Sequence, residues 1–231
     1  MNNSPIEPEA TPDDRATAVR RIADSLDLAV LKPTATAADV RAACEMVSRY
    51  GIKSVCVPTS FVSFATLYTD RVCAVVGFPH GNTTPFTKTV EAVEAMGSGA
   101  KEIDVVVNYG RLLDGDPGPI RTELTRIVAE ARPRGAIVKA ILETCFYTPT
   151  QIRDASRLCA DCGVDYVKTS TGFAPQGATP DVVQIMLDAV RGGYWCGVKA
   201  SGGINTYADA VRYLDMGCTR IGSSKFQELL S

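Results

Sequence analysis

From Ser25 onward the chain alternates short apolar runs with amphipathic stretches, eight times over, and few folds accommodate that rhythm. The strand candidates are Ser25–Leu31, Ser54–Val57, Cys73–Gly77, Glu102–Val107, Ile137–Leu142, Asp165–Lys168, Gly197–Lys199 and Arg220–Gly222. Between them lie helical patterns at Ala37–Tyr50, Pro85–Gly97, Pro119–Ala131, Pro149–Cys162, Pro180–Arg191 and Tyr207–Met216. Three helices open on Thr-Pro, at Thr84, Thr148 and Thr179: a capping residue, then the one residue whose missing N–H costs nothing at that position. Gly51, Gly97, Gly163, Gly192 and Gly217 stand where helices close. Eight strands, each followed by a helix or loop, predict an α/β protein whose parallel sheet closes as a single (β/α)8 TIM barrel. A doubly wound sheet is the alternative, but no strand runs into G-x-G-x-x-G at a helix start. Barrels of this kind often form one domain from about this many residues, and no linker or repeat divides the 231 residues. One domain over 1–231 is therefore expected. Residues 1–14 are polar, rich in proline and acid, and lack the basic and apolar regions of a signal peptide; they are expected to be a disordered tail.

A net charge of −2 offers no electrostatic footprint for nucleic acid or an anionic membrane. No apolar run reaches the roughly 18 residues of a spanning helix. Neither nucleic acid nor a membrane is expected as a partner. The eight cysteines are scattered singly, as in Val55-Cys56-Val57, which reads as small buried residues in a reducing, cytoplasmic compartment. Cys159 and Cys162 form one C-x-x-C without a second pair and read as structural. No carboxylate and histidine cluster has metal-ligand spacing, so neither a metal nor another cofactor is expected.

Chemistry is concentrated in two lysine motifs. Asp165-Tyr166-Val167-Lys168 breaks into Thr169-Ser170-Thr171-Gly172-Phe173, and Gly197-Val198-Lys199 breaks into Ala200-Ser201-Gly202-Gly203-Ile204. A lysine at the end of a buried strand must be paired, solvated in a pocket or partly neutral, because an isolated buried ammonium is prohibitively costly. Two such lysines in one parallel sheet would share a pocket, each cation disfavouring the other. Charges about 5 Å apart at an effective dielectric of about 20 repel by roughly 3 kcal/mol. That is a shift of roughly two pKa units, and burial pushes the same way. A lysine brought from ~10.4 down to roughly 7–8 is a nucleophile suited to Schiff-base chemistry.

Other polar residues stand at strand ends: Asp27, Cys56, Asp104, Asn108 and Glu143, with Lys139 inside the fifth strand. The C-terminal strand ends of a barrel carry its active site, and Asp27 and Asp104 interrupt apolar runs. The alternative is that these charges pair to fill a polar barrel layer. Ser201-Gly202-Gly203-Ile204 after strand seven and Gly222-Ser223-Ser224 after strand eight occupy loops where many barrels hold a phosphate. Glycine lets the backbone approach an oxyanion closely, and the Ser224 hydroxyl can donate to it; tight turns are the alternative. His80, the single histidine, reads as turn packing or hydrogen bonding. Trp195 reads as core or a strand-end contact.

In their order, these strings resemble the deoxyribose-phosphate aldolase family of class I aldolases. The resemblance runs from Asp27 to Ser224. It takes in Leu31-Lys32-Pro33, Val55-Cys56-Val57-Pro58, Gly77-Phe78-Pro79-His80-Gly81, Glu102-Ile103-Asp104, Lys139, Glu143-Thr144, both lysine motifs and Arg220-Ile221-Gly222. It implies reversible cleavage of 2-deoxy-D-ribose 5-phosphate to acetaldehyde and D-glyceraldehyde 3-phosphate without a metal ion. By resemblance Lys168 is the Schiff-base nucleophile, Lys199 keeps it neutral, and Lys199 with Asp104 and a water shuttles protons. Asp27 and Thr171 are implied substrate-hydroxyl or network contacts, and Cys56 lines the substrate pocket. Gly172, Gly202, Gly203, Asn205, Gly222 and Ser224 match phosphate-binding positions. The expected partner is thus a small-molecule sugar phosphate; oligomeric state stays open, a homo-oligomer included.

The chain departs from the family pattern in three places. Asp27-Leu28-Ala29 stands where the family commonly has Asp-His-Thr, and Lys225 stands where small residues usually follow strand eight. The sequence ends at Ser231 without the tail tyrosine of some members, an expected cost in rate. Two other readings stand beside the first: an imine-forming aldolase of another short sugar phosphate, and a non-catalytic barrel that binds one.

Overall fold

The computed structural model describes residues 12–193 and 195–231. Its strands are β1 (Leu26–Ala29), β2 (Ser54–Pro58), β3 (Val72–Val76), β4 (Glu102–Val106), β5 (Ile137–Ile141), β6 (Tyr166–Lys168), β7 (Gly197–Ser201) and β8 (Arg220–Ser223). Each pairs in parallel with the next, and β8 closes on β1 to complete a barrel. Around it lie α1 (Pro12–Ala23), α2 (Ala37–Tyr50), α3 (Val62–Ala65), α4 (Pro85–Gly97), α5 (Tyr109–Leu113), α6 (Gly118–Ala131), α7 (Pro149–Asp161), α8 (Pro180–Val190), α9 (Tyr207–Met216) and α10 (Phe226–Leu230). The eight expected strands and six expected helices are all present.

The helix signals act as anticipated. The hydroxyls of Thr84, Thr148 and Thr179 accept from the backbone N–H groups of Thr87, Gln151 and Val182, each followed by proline in the first turn. Gly51 closes α2 in the left-handed conformation at φ 66°, where a side chain would be strained. At α4 Gly97 is the last helical residue, as expected, and the chain turns left-handed two residues on, at Gly99. Four helices, α1, α3, α5 and α10, have no counterpart in the sequence reading. Three are five residues or shorter, below the length at which an apolar period shows. The fourth, α1, buries little besides Ile22 and Ala23, so its pattern is mostly polar. Its signature is electrostatic instead, with Asp13 and Asp14 in the first turn and Arg20 and Arg21 in the last. The expected tail therefore overlaps α1 at residues 12–14; residues 1–11 lie outside the described residues.

Strand alternation separates two interiors. One set, including Leu28, Val55, Val57, Ile103, Val105, Val138, Ala140, Val167, Val198 and Ile221, joins helix residues such as Val40, Val47, Leu124, Ile127 and Leu187 in one apolar core. Fully burying such side chains contributes about 1.5–3 kcal/mol each. The other set points into the barrel and is charged: Asp27, Glu102, Asp104, Lys139, Lys168, Lys199 and Arg220, all buried. Beside it sits a small apolar cluster of Cys56, Cys73 and Val75, against which Leu31 and Phe78 pack. A second buried charge site lies outside the barrel wall, between α4 and α6. There Lys88 Nζ donates to Glu123 Oε2 at 2.8 Å and to the Val106 carbonyl at 2.7 Å. Trp195 corrects the expectation of a core or strand-end residue: it is 101% exposed, on the loop ahead of β7.

Candidate active site

Register explains why the two motif lysines meet. Lys168, the last residue of β6, pairs with Lys199 of β7, and Asp104 of β4 pairs with Lys139 of β5. Both lysine amines converge on one oxygen: Lys168 Nζ and Lys199 Nζ each lie 2.7 Å from Asp104 Oδ2. Lys199 Nζ also donates to Asp27 Oδ2 in a very short bond. Lys139 reaches all three carboxylates, at 2.5 Å to Glu102, 2.7 Å to Asp104 and 3.2 Å to Asp27. Arg220 bridges Asp27 and Glu102, and Ser54 Oγ donates to Asp27 Oδ1 at 2.8 Å. Four cations thus share three carboxylates. Ions buried this deeply persist only when each is closely partnered, so the surplus cation is the informative one.

Proton affinities follow from these contacts. Burial pushes the Asp104 carboxyl up, but the Lys139, Lys168 and Lys199 ammonium groups hold it well below the usual carboxylate range. For Asp27 burial is likewise overridden, by Lys139, Lys199 and Arg220. Burial pushes Lys199 down, yet Asp104 and Asp27 hold it above the ordinary lysine value. Lys139 is held high in the same way. Lys199, Lys139 and Arg220 each have two or more carboxylate partners, whereas Lys168 has Asp104 alone. The alternative of a polar barrel layer is also realised, by Lys139, Glu102 and Arg220.

Above the lysines opens a cavity of about 990 Å³ at the C-terminal strand ends. Of the residues singled out in the sequence, Lys168, Lys199, Asp27, Cys56 and Thr171 line it, as do Gly172, Gly202, Gly203, Asn205, Gly222 and Ser224. Asp104 does not; it is wholly buried and meets the cavity through the two lysines. Gly202, at φ 81°, is required by close approach: a Cβ there would sit 2.9 Å from the Gly177 Cα. A Cβ on Gly203 would meet nothing within 4 Å, so that peptide is open to a ligand.

The remaining polar residues have other tasks. Asn108 caps α5, accepting from the Arg111 N–H at 3.2 Å. His80 lies 3.5 Å from the Tyr109 hydroxyl in its turn. Lys225 pairs with Glu228 at 3.4 Å and is not on the cavity wall. Leu28 joins the apolar core and, with Ala29, lines the cavity, so the departure from Asp-His-Thr falls on the cavity wall at both positions. Glu143, legible only as a strand-end carboxylate, binds Thr171 through both its hydroxyl and its N–H. Arg220 and Glu102 carry no sequence signal for joining the network; only register reveals it. Among the described residues one cluster has metal-ligating atoms within 4.8 Å of each other, Cys56, Cys73 and Asp104. A cation there would face the three ammonium groups already on Asp104, so the donor set fits lysines rather than a metal.

Sequence comparison identifies the family. The pattern of the DeoC/LacD family aldolase matches residues 12–224. The chain belongs to the DeoC/LacD aldolase family. It is 43% identical over 208 residues to the deoxyribose-phosphate aldolase of Caldanaerobacter subterraneus subsp. tengcongensis, covering 88% of this chain and 89% of that one. It is 40% identical over 215 residues to the enzyme of the same name from Aciduliprofundum boonei, covering 91% and 96%. The tetrameric deoxyribose phosphate aldolase of Aeropyrum pernix superposes with a TM-score of 0.84 at 30% identity, over 96% of this chain and 97% of that one. The family thus shares the barrel that brings Lys168 and Lys199 together.

Proposed function

We propose that this family member is a class I aldolase that reversibly cleaves 2-deoxy-D-ribose 5-phosphate to acetaldehyde and D-glyceraldehyde 3-phosphate, without a metal ion. The observation that carries the reading is the single oxygen shared by two amines beneath an open cavity. Lys168 is the amine with one ion pair and a face on the cavity, which places its nitrogen to attack the substrate aldehyde. Loss of water from the adduct gives a protonated imine, an electron sink. The bond between its α and β carbons then breaks: the electron pair enters an enamine, and the β-hydroxyl gives up its proton as it becomes the aldehyde of glyceraldehyde 3-phosphate. Protonation of the enamine carbon and addition of water release acetaldehyde and restore Lys168. Lys199 and Asp104, with a water, are the groups for the proton steps. Asp27 and Thr171 contact substrate hydroxyls, and Cys56 forms a wall. Gly172, Gly202, Gly203, Asn205, Gly222 and Ser224 hold the phosphate.

Borohydride reduction in the presence of deoxyribose 5-phosphate, followed by intact mass and peptide mapping, tests this. The expected result is a reduced adduct on Lys168. A folded protein that binds the sugar phosphate yet gives no adduct would overturn the reading in favour of a binding barrel, and a panel of short sugar phosphates separates this substrate from its relatives. The eight free cysteines suit a reducing, cytoplasmic setting, and among the described residues no helix is long and apolar enough to cross a membrane. By analogy with the Aeropyrum pernix tetramer, the protein is a homo-oligomer, which light scattering after size exclusion would check.

A further inference from the structure

Among the described residues, Glu143 is the one residue other than glycine with a left-handed backbone, at φ 58° and ψ 61°. Such a conformation persists only where its surroundings hold it. Here the holder is Thr171. Its hydroxyl forms a very short bond to Glu143 Oε2, and its N–H lies 3.3 Å from both carboxylate oxygens. The Phe173 N–H donates to Thr171 Oγ1 at 3.1 Å. Thr171 lines the cavity, whereas Glu143 is 2% exposed and does not. The carboxylate therefore addresses the cavity through one hydroxyl.

That hydroxyl has one proton and two lone pairs. With Glu143 ionised, the proton goes to the carboxylate, Phe173 takes one lone pair, and an acceptor is left for the cavity. With Glu143 protonated, the carboxyl and Phe173 occupy both lone pairs, and the Thr171 proton turns outward. We propose that Glu143 is a positioning residue which, through Thr171, sets the polarity of the hydroxyl offered to the substrate γ-hydroxyl, the ionised acceptor state being the productive one. This rests on the aldolase reading: the β-hydroxyl must give its one proton to the water as the α–β bond breaks, so the acceptor on Thr171 serves the neighbouring γ-hydroxyl, which keeps its own. Thr171 only orients the substrate, and the β-hydroxyl proton leaves through the water and the Lys199–Asp104 pair.

The charges around Glu143 bear on its titration. Burial pushes its carboxyl above the usual range, against the pull of the Thr171 hydrogen bonds and of Lys168 on β6. Tyr109 of α5, with Cys145 and Tyr147 of its own loop, also feels its charge. Burial holds all three above their ordinary values, so they stay neutral through the acid range.

The test is kcat and KM for deoxyribose 5-phosphate between about pH 5 and 9, in wild type, Glu143→Gln, Thr171→Val and Thr171→Ser. In wild type KM rises roughly fivefold on the acid side, the scale of one hydrogen bond between neutral groups. Glu143→Gln, whose amide oxygen accepts from Thr171 at every pH, loses the step. Thr171→Val has a raised KM without a step, and Thr171→Ser restores it. A step that survives in Glu143→Gln or in Thr171→Val overturns the proposal; if the glutamine variant fails to fold, the two Thr171 variants decide. Normal wild-type turnover with a flat KM sinks the role of Glu143 alone. Absence of both turnover and a Lys168 adduct sinks the aldolase reading itself.

Discussion

Two groups of buried ion pairs among the described residues are built on different arithmetic. Between α4 and α6, Lys88 and Glu123 form a closed pair, one cation to one carboxylate, both wholly buried. The Val106 carbonyl and the Asn108 N–H complete their hydrogen bonds. Inside the barrel four cations share three carboxylates, and one of those cations, Lys168, opens onto a cavity. A closed pair can tie β4 and its following loop to two helices. A network with one cation in surplus leaves an amine with a single ion pair facing a cavity. The difference separates fastening from chemistry at equal burial.

The largest effect should come from removing the surplus cation. Lys168→Leu is expected to abolish turnover and borohydride trapping by intact mass. Its unfolding free energy, from urea curves followed by circular dichroism, should change by only about 1 kcal/mol, because Asp104 keeps Lys139 and Lys199. A loss like that of an uncompensated buried ion would erase the distinction drawn above. Asp104→Asn should still form imine but lose turnover by about 10²–10⁴-fold, the usual weight of a positioned proton-transfer group. Single-turnover trapping set against steady-state rate checks it; equal losses in both would remove Asp104 from the proton steps.

On the closed pair, Lys88→Leu should cost about 3–5 kcal/mol by leaving Glu123 buried and alone. Replacing both by leucine should recover most of that in the same urea curves, with the pH dependence of trapping unmoved. Lys199→Leu should slow trapping and carry its pH profile upward by about one to two units, since loss of the neighbouring cation favours the protonated amine. A stationary profile would show that the two amines do not sense each other. The smallest effect concerns acid. Asp27 and Asp104 are held below their ordinary values, so their contribution to stability is complete above about pH 4 and is lost as pH falls through the lowered values. Melting temperature should be level from about pH 7 to 5 and decline below about 4, with a shallower decline in Asp27→Asn.

The barrel is legible in the sequence because its signals are local. Thr-Pro starts and apolar periods place α2, α4 and α9 at their observed bounds, and alternation places each strand within a few residues. Pairing is not local. Lys139 looks like a stray charge in an apolar strand until register sets it beside Asp104, where it contacts three carboxylates. Lys168 and Lys199 announce themselves by the small residues after them, but which amine is free depends on Asp27 reaching Lys199 from β1. Glu143 appears only as a carboxylate after a strand; its left-handed backbone and its hold on Thr171 are tertiary facts. Trp195 misleads for the opposite reason, since its apolar ring suggests burial and its loop supplies nothing to pack against.

That tryptophan makes fluorescence a poor reporter for this protein. Its indole is fully hydrated before any unfolding begins and sits at the N-terminal end of β7, while the cavity opens at the other. Emission from the chain's single indole will therefore shift little when the barrel melts or when a sugar phosphate enters. A flat fluorescence trace from this protein would reflect where its one fluorophore stands, and it would be no sign of an unmelted barrel or an empty site.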